Sequence, residues 1–144
     1  MNVATRFLAL SPDDLKAQLD GGTLTVYSVA RPANADLPVD RSGVIATYKF
    51  ASPAFGEAVD GVESPSFAAN PVPAATVGTP GFARARNAEG ATVADFSAGP
   101  GVREIKFAEV SCSPGAPVKI VEFRLLSPQS WPEAPRARLE KAAP

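Results

Sequence analysis

The stretch TLTVYSV, residues 23–29, decides the fold class of this chain. Leu24 and Val26 alternate with the two threonines and the tyrosine around them, so apolar side chains recur at every second position. This two-residue period places successive side chains on opposite faces of an extended strand, and β-branched and aromatic residues are enriched in strands. The stretch therefore predicts a β-strand that buries its leucine and its first valine on one face.

The same pattern continues in short stretches that are separated by turn signals. The predicted strands cover residues 23–29, 44–50, 55–59, 62–67, 82–87, 91–97, 102–110 and 118–126. Tight turns are predicted at Asp60-Gly61, Ala88-Glu89-Gly90 and Ser113-Pro114-Gly115, because glycine adopts positive φ angles at little cost. In residues 118–126 the alternation is imperfect, and either face of that strand could be the buried one. About eight short strands of this kind are typical of an antiparallel β-sandwich or jelly roll.

One short helix is predicted before the first strand, over residues 12–20. Ser11 is a good N-cap, Pro12 suits the first helical position, and the two aspartates that follow favour the positive end of the helix dipole. Two leucines four residues apart give this helix a short apolar stripe. The chain is accordingly divided into an N-terminal arm with the short helix (1–22), a β-sandwich domain (23–126) and a Pro-rich C-terminal tail (127–144).

Composition excludes several classes of protein. Fifteen prolines and eleven glycines among 144 residues exclude a long-helix bundle, because proline removes a backbone donor and breaks helices. With 45% hydrophobic residues and a net charge of −1, disorder along the whole chain is not expected. Fourteen basic against fifteen acidic residues predict no bulk binding of nucleic acid. No membrane partner is expected, since the uncharged residues 64–83 contain four prolines and the apolar residues 7–10 are too few for a signal sequence.

Residues for catalysis or metal binding are scarce. Histidine is absent, which removes the commonest general base and the commonest metal ligand. Cys112 is the only cysteine, so neither an internal disulfide nor a cysteine zinc site can form, and its strand-like surroundings predict a buried thiol. Asp13-Asp14 is explained by helix capping, and the glycines match no phosphate-binding fingerprint. No enzyme activity, catalytic residue, cofactor or metal site is therefore predicted.

Five residues are candidates for a partner interface: Arg84, Arg86, Trp131, Arg136 and Arg138. The first two arginines project from one face of the predicted strand 82–87, which is either a solvated sheet face or a binding face for an acidic partner. The tryptophan is the only one in the chain, and it either folds back onto the domain or anchors a partner. Because tryptophan and arginine are enriched at interface anchors, the tail is predicted to be an attachment arm.

Four motifs occur in order along the chain: GTLTVYSVARPA (22–33), SPAFG (52–56), GTPGFARARNAEG (78–90) and the pattern G-x-x-V-x-I-x-x-F (115–123). With them the chain resembles a group of small tailed-bacteriophage structural proteins. Members of that group have a short N-terminal helix, a "GTLRIYTGTRPA"-like strand and loop, an "SNPAFG"-like turn, a "GTATWFRIxDxxG"-like hairpin and a similar final strand. The chain departs from this pattern at Pro80-Gly81 and Ala85, where strand formers are expected, and its tail after Leu126 has no counterpart.

The resemblance implies a virion component that assembles in the host cytoplasm. The leading interpretation is a non-enzymatic capsid decoration or cement protein. It would be present as homo-oligomers or as lattice-bound copies on the major capsid protein or on other virion proteins. The alternative is a tail- or fibre-associated recognition module that binds a host receptor or glycan. Extended arms suit lattice binding, because they bury much surface per residue and become ordered only on docking.

Overall fold

The computed structural model describes residues 2–39, 43–55, 62–99, 104–109, 111–123 and 125–126. The elements within these ranges are β1 (Asn2–Val3), a 3-10 turn (Thr5–Phe7), α1 (Pro12–Ala17), β2 (Thr23–Tyr27), β3 (Val44–Phe55), β4 (Val62–Glu63), β5 (Pro65–Phe67), β6 (Val72–Pro73), β7 (Phe82–Arg86), β8 (Thr92–Ser97), β9 (Ile105–Phe107), β10 (Pro117–Val118), β11 (Ile120–Phe123) and β12 (Leu125–Leu126). The predicted mainly-β fold with one short α-helix is confirmed for this part of the chain.

Six strands form one antiparallel sheet in the order β1-β8-β7-β2-β3-β5. β2, which comes from the stretch with the clearest alternation, lies inside the sheet between β7 and β3. β7 and β8 form a hairpin whose turn holds Gly90 at φ +89°, and this confirms the predicted turn at residues 88–90. The side-chain oxygen of Asn87 closes the turn, because it accepts hydrogen bonds from the backbone N–H groups of Glu89 (3.1 Å) and Ala91 (2.9 Å).

A second layer covers one face of this sheet. It includes the antiparallel pairs β9–β11, β6–β10 and β4–β12. Phe123 of β11 meets Phe96 of β8 edge to face, with ring centroids 4.9 Å apart. The hydroxyl of Tyr48 in β3 donates a hydrogen bond to the carbonyl oxygen of Val118 in β10. These contacts join the two layers into the sandwich-like arrangement that the strand pattern predicts.

The apolar core fills the space between the layers, on the side of the sheet to which Leu24 points. Leu24 is fully buried, and its neighbours in register are Tyr48 on β3 and Ala85 on β7. The large side chains of this core with at most 1% exposure are Leu15, Leu19, Leu24, Val26, Ile45, Tyr48, Phe50, Val93, Phe96 and Ile105. The face that the alternation of β2 predicts as buried is therefore the core face.

The short helix forms where the capping residues predict it. The Ser11 hydroxyl accepts a hydrogen bond from the backbone N–H of Asp14 at 3.2 Å, as an N-cap does. The α-helix ends at Ala17, three residues earlier than predicted, and a turn leads to Gly21 at φ +70°. Because the two leucines of its apolar stripe belong to the core, α1 packs against the domain instead of extending from it.

Several predicted strand boundaries are wrong. β3 does not end at residue 50 but continues through the SPAF segment to Phe55, which was expected to be a turn and the start of a new strand. The predicted strand 62–67 is interrupted at Ser64, where β4 pairs with β12 and β5 pairs with β3. The predicted strand 102–110 is represented by β9, residues Ile105–Phe107. The turn at Asp60-Gly61 lies outside the described residues.

The last predicted strand, 118–126, consists of β10, β11 and β12. The register of β11 against β9 shifts between Ile120 and Glu122, so one residue of β11 has no opposite partner. As a result Ile120 and Phe123 are both buried, although they are three positions apart in the sequence, and Val121 is 56% exposed. This shift resolves the question of which face is buried, and it explains why the alternation of the sequence is imperfect there.

Candidate partner interface

Arg84 lies in the interior and forms an ion pair with Asp95. The two residues are directly opposite each other on β7 and β8. The guanidinium Nε and Nη2 atoms donate to Oδ1 and Oδ2 of the carboxylate at 2.7 and 2.9 Å. Arg84 is 3% exposed and Asp95 is 0% exposed. The pair is thus bidentate and shielded from water, a geometry that satisfies both oxygens of the carboxylate.

The remaining terminal nitrogen of Arg84 holds the loop between β2 and β3. Its Nη1 donates to the carbonyl oxygen of Leu37 at 2.7 Å. One guanidinium therefore joins β7, β8 and this loop. The expectation of a solvated arginine face is wrong at Arg84, because its charge is neutralised inside the domain and is not exposed to an acidic partner.

Arg86 lies on the same face of β7 and is half-buried. Its Nη1 and Nη2 atoms donate to the hydroxyls of Thr25 (3.2 Å) and Tyr27 (3.0 Å) on β2. The Tyr27 ring in turn stacks on Phe82, with centroids 5.0 Å apart and an interplanar angle of 14°. Both predicted arginines are therefore engaged within the sheet, and Arg86 is the more exposed of the two.

The β2–β3 loop is attached to the N-terminal segment by a second set of polar contacts. The carboxylate of Asp36 accepts hydrogen bonds from the hydroxyl and from the backbone N–H of Thr5, the latter at 3.1 Å. These hydrogen bonds, the side-chain one first, hold the pKa of Asp36 below its ordinary value of 3.8. The Asn2 side-chain amide donates to the carbonyl oxygen of Pro32 at 3.4 Å. The β2–β3 loop is thus held at two places. One is formed by β1 and the 3-10 turn, and the other by Arg84.

The surface pockets in the described part of the chain include two of several hundred cubic ångströms. One, of about 460 Å³, is next to the Thr5–Asp36 contact and is lined by Ala4, Thr5, Arg6, Ala35, Asp36, Ala91 and Thr92. The other, of about 320 Å³, lies between β5 and β11 and is lined by Ser64, Pro65, Phe67, Asn70, Ile120, Val121, Glu122 and Phe123. The first is bordered by the charged side chains of Arg6 and Asp36, and the second combines apolar side chains with the polar side chains of Ser64, Asn70 and Glu122.

The remaining candidates from the sequence differ in where they lie. Trp131, Arg136 and Arg138 lie outside the described residues, so their role in an interface stays a prediction. Cys112 is 5% exposed, as predicted, and burial raises the pKa of its thiol. In the ranges described above, no group of three or more acidic, cysteine or histidine side chains is placed to hold a metal ion. None of the helices in those ranges is long and apolar enough to cross a membrane.

Asp95 is the residue that sequence reasoning missed. It stands between Ala94 and Phe96 in an otherwise apolar strand, where an acidic side chain needs a partner. Counted outward from the turn at residues 88–90, Arg84 would face Ala94, and the register shift between Ala85 and Arg86 places it opposite Asp95 instead. The predicted turn therefore brings β7 and β8 together, but the register shift, which was not predicted, selects Asp95 as the partner of Arg84.

Comparison of the chain with protein-family models, with curated protein sequences and with solved structures finds no match.

Proposed function

We propose that the chain is a non-enzymatic structural protein of a tailed-bacteriophage virion, a decoration or cement protein that binds the major capsid lattice. The observation that carries this proposal is the set of four motifs, in order, by which the chain resembles small phage structural proteins. The first motif covers β2 and the start of the β2–β3 loop, the third covers β7 and its turn, and the fourth covers β10 and β11. The resemblance therefore falls on the elements that build the sandwich.

The positions of individual motif residues support a shared framework. Arg84, which matches the arginine of the third motif, is the buried partner of Asp95. Pro32, in the RPA segment of the first motif, accepts a hydrogen bond from Asn2 through its carbonyl oxygen. Such roles inside the domain would explain why these motif residues occur together. They support a common fold and leave the attachment function to other parts of the chain.

The tail is the part best suited to attachment. Residues 127–144 carry Trp131, Arg136 and Arg138, whose residue types are enriched in the energetically dominant contacts of interfaces. Four prolines in this segment exclude a continuous helix. We expect the tail to lie along a neighbouring virion protein, where an extended segment buries a large area per residue.

The alternative, a module that recognises a host glycan or receptor, calls for exposed aromatic rings on one face. Tyr27 and Tyr48, the only two tyrosines, are 2% and 0% exposed. Their rings and hydroxyls are engaged within the domain. The burial of both tyrosines therefore favours the decoration protein over the recognition module.

Two measurements test the proposal. Labelling the protein in intact particles counts its copies: copies in the hundreds over the head agree with a decoration protein, whereas a handful at the tail favours the alternative. Deletion of residues 127–144 should leave the melting temperature nearly unchanged and weaken binding to particles, and Trp131→Ala should cause a large part of that loss. Val77→Ala, at a 67% exposed valine, is the control. Full particle binding by the truncated protein, together with a lower melting temperature, would contradict the attachment role.

A further inference from the structure

The face of the six-stranded sheet that carries the buried ion pair continues toward β3 as a polar surface. Thr23 of β2 lies between Lys49 of β3 and Arg86 of β7, and the three residues are in register. Residues directly opposite each other in a sheet share a face, so two cations flank one threonine. Lys49 and its neighbour on this face, Thr47, are exposed, whereas Thr23 and Arg86 are half-buried. These four residues form the basic strip.

The two arginines of β7 differ in what the sheet places opposite them. β8 places Asp95 opposite Arg84, but it places the neutral Thr92 opposite Arg86. The guanidinium of Arg86 donates to two hydroxyls of β2, which carry no charge. No ion pair of the described residues includes Arg86. Arg86 is therefore positioned by β2, and its charge is not neutralised by any carboxylate among the described residues.

The guanidinium of Arg86 is prepared to bind a carboxylate. The hydroxyls of Thr25 and Tyr27 use two of its five N–H groups, so three remain. Because these hydroxyls hold the planar fork in place, it loses little freedom when a carboxylate binds. Lys49 also forms no ion pair with the described residues, and two strand spacings put its backbone about 10 Å from that of Arg86. The basic strip thus presents two positive charges side by side on one face.

We infer that the basic strip binds an acidic segment of a partner protein, with one carboxylate on Arg86 and a second on Lys49. Charge complementarity carries this inference, since two cations that form no ion pair with the described residues share one accessible face. The fold already contains the matching chemistry at Arg84, which binds a carboxylate with two parallel hydrogen bonds. In an extended segment, side chains at alternate positions are about 7 Å apart on one face, and the flexible lysine side chain can meet this spacing.

A nucleic acid suits the basic strip less well than an acidic protein segment. Binding to a phosphate backbone depends on neutralising several phosphates in a row, and the strip contains two cations. The whole chain has a net charge of −1, which gives a polyanion no long-range attraction. Two cations that flank a threonine instead match a short peptide with few carboxylates.

This inference goes beyond the proposed function, because the basic strip belongs to the sheet and not to the tail. Nuclear magnetic resonance titration of the full chain tests it, with the blocked peptide Gly-Glu-Gly-Glu-Gly as the probe and its glutamine analogue as the uncharged control. Backbone amide shifts give both the place of binding and the dissociation constant. Arg86→Gln and Lys49→Gln each remove one charge of the strip. Lys119→Gln is the matched control, since Lys119 is an exposed lysine of the second layer, between β10 and β11.

We expect the glutamate peptide, but not its glutamine analogue, to shift the backbone amides of the basic strip. Arg86→Gln should weaken binding about tenfold and Lys49→Gln about threefold, since the arginine can bind a carboxylate with two hydrogen bonds. Lys119→Gln should leave the dissociation constant unchanged. Melting curves check that each variant is folded. Because Arg86 also supports β2, Lys49→Gln at an exposed position keeps the test independent of stability.

Three results would overturn the inference. The first is the absence of peptide-induced shifts in the basic strip at low ionic strength, where attraction between charges is least screened. The second is an equal loss of affinity in Lys49→Gln and Lys119→Gln, which would indicate a diffuse effect of net charge. The third is tighter binding of a thymidine oligonucleotide than of the glutamate peptide at the same residues, which would assign the strip to nucleic acid. All of these measurements use the isolated protein, so their outcome is independent of binding to virus particles.

Discussion

On one face of the six-stranded sheet Leu24, Val26 and Phe96 pack into an apolar core, whereas on the other face Arg84 forms a buried ion pair with Asp95. The same strands β2, β7 and β8 supply both faces, since alternate residues point to opposite sides. The core face is covered by α1 and by the second layer of strands, and on the ion-pair face the β2–β3 loop is held by Arg84. The two faces are therefore buried by different chemistry.

This difference shows what each face contributes. Apolar burial is non-directional, so the core face gains stability from area and close packing. A buried ion pair pays a large desolvation penalty, and it is tolerated only when its hydrogen bonds are satisfied. Arg84 meets this condition with two bonds to Asp95 and one to the carbonyl oxygen of Leu37. The ion pair thus fixes the position of the β2–β3 loop more specifically than a non-directional apolar contact would.

The largest expected effect tests the ion-pair face. Arg84→Met leaves the carboxylate of Asp95, which is 0% exposed, without its cation, and this should lower the free energy of unfolding by about 3–5 kcal/mol. Urea denaturation measures the change. The double variant Arg84→Met/Asp95→Leu removes both charges and should recover most of the lost stability. A single variant that loses less than about 1 kcal/mol would show that the pair is more hydrated than its burial indicates.

The next effect concerns the core face. Leu24→Ala removes a side chain with 0% exposure from the middle of the core, and it should cost about 3 kcal/mol because a cavity remains. The same denaturation experiment applies. Val121→Ala, at a 56% exposed position, is the control and should change stability by less than about 0.5 kcal/mol. If the two variants were equally stable, Leu24 would not belong to a packed core.

A smaller effect is expected at the border of the ion-pair face. Arg86→Met removes the hydrogen bonds to the hydroxyls of Thr25 and Tyr27 and should cost about 1 kcal/mol, the net value of such bonds at a half-buried site. The near-ultraviolet signal of tyrosine should change with it, since Tyr27 loses its partner. Arg86→Lys retains a hydrogen-bond donor, so its stability should lie between those of the natural protein and Arg86→Met. An unchanged tyrosine signal in Arg86→Met would contradict the contact.

The smallest effect depends on pH and tests the other attachment of the β2–β3 loop. The pKa of Asp36 is lowered from 3.8 in the folded state, so its carboxylate stabilises the fold at pH values above 3.8. That contribution is lost as the pH falls through the lower, folded-state pKa. Asp36→Asn should therefore melt below the natural protein at neutral pH, and the difference should disappear in acid. Melting temperatures of both proteins, measured from acid to neutral pH, test this expectation. A difference in melting temperature that does not change with pH would contradict the role assigned to the Asp36 carboxylate.

The hairpin β7–β8 shows how far sequence reasoning reaches. Its turn at residues 88–90 was predicted, but the register that pairs Arg84 with Asp95 also requires the shift between Ala85 and Arg86, which the turn by itself does not predict. The burial of the pair was not predictable from the hairpin, because a cross-strand ion pair on a two-stranded ribbon is equally compatible with solvent. The β2–β3 loop, which is distant in sequence, contributes the Leu37 carbonyl that completes the site.

The pocket between β5 and β11 shows where such reasoning stops. Residues 118–126 alternate imperfectly, and nothing local to them distinguishes the inward from the outward face. The register shift between Ile120 and Glu122 exposes Val121 and buries Phe123, and it arises from pairing with β9. The Asn70 and Ser64 side chains, which donate to the carbonyl oxygens of Ile120 and Phe123 at the pocket, come from segments more than 45 residues away. The tail candidates Trp131, Arg136 and Arg138 stay predictions from the sequence.

The sequence by itself determined the strand periodicity of residues 23–29, the capped helix after Ser11 and the turn that ends in Gly90. Each of these depends on steric and hydrogen-bonding preferences within a few residues of chain. Only the tertiary structure decided that Arg84 is buried and that Val121 is exposed. Burial depends on which distant segment covers a face of the sheet. The local alternation of apolar and polar residues is the same whether such a segment or water lies against that face.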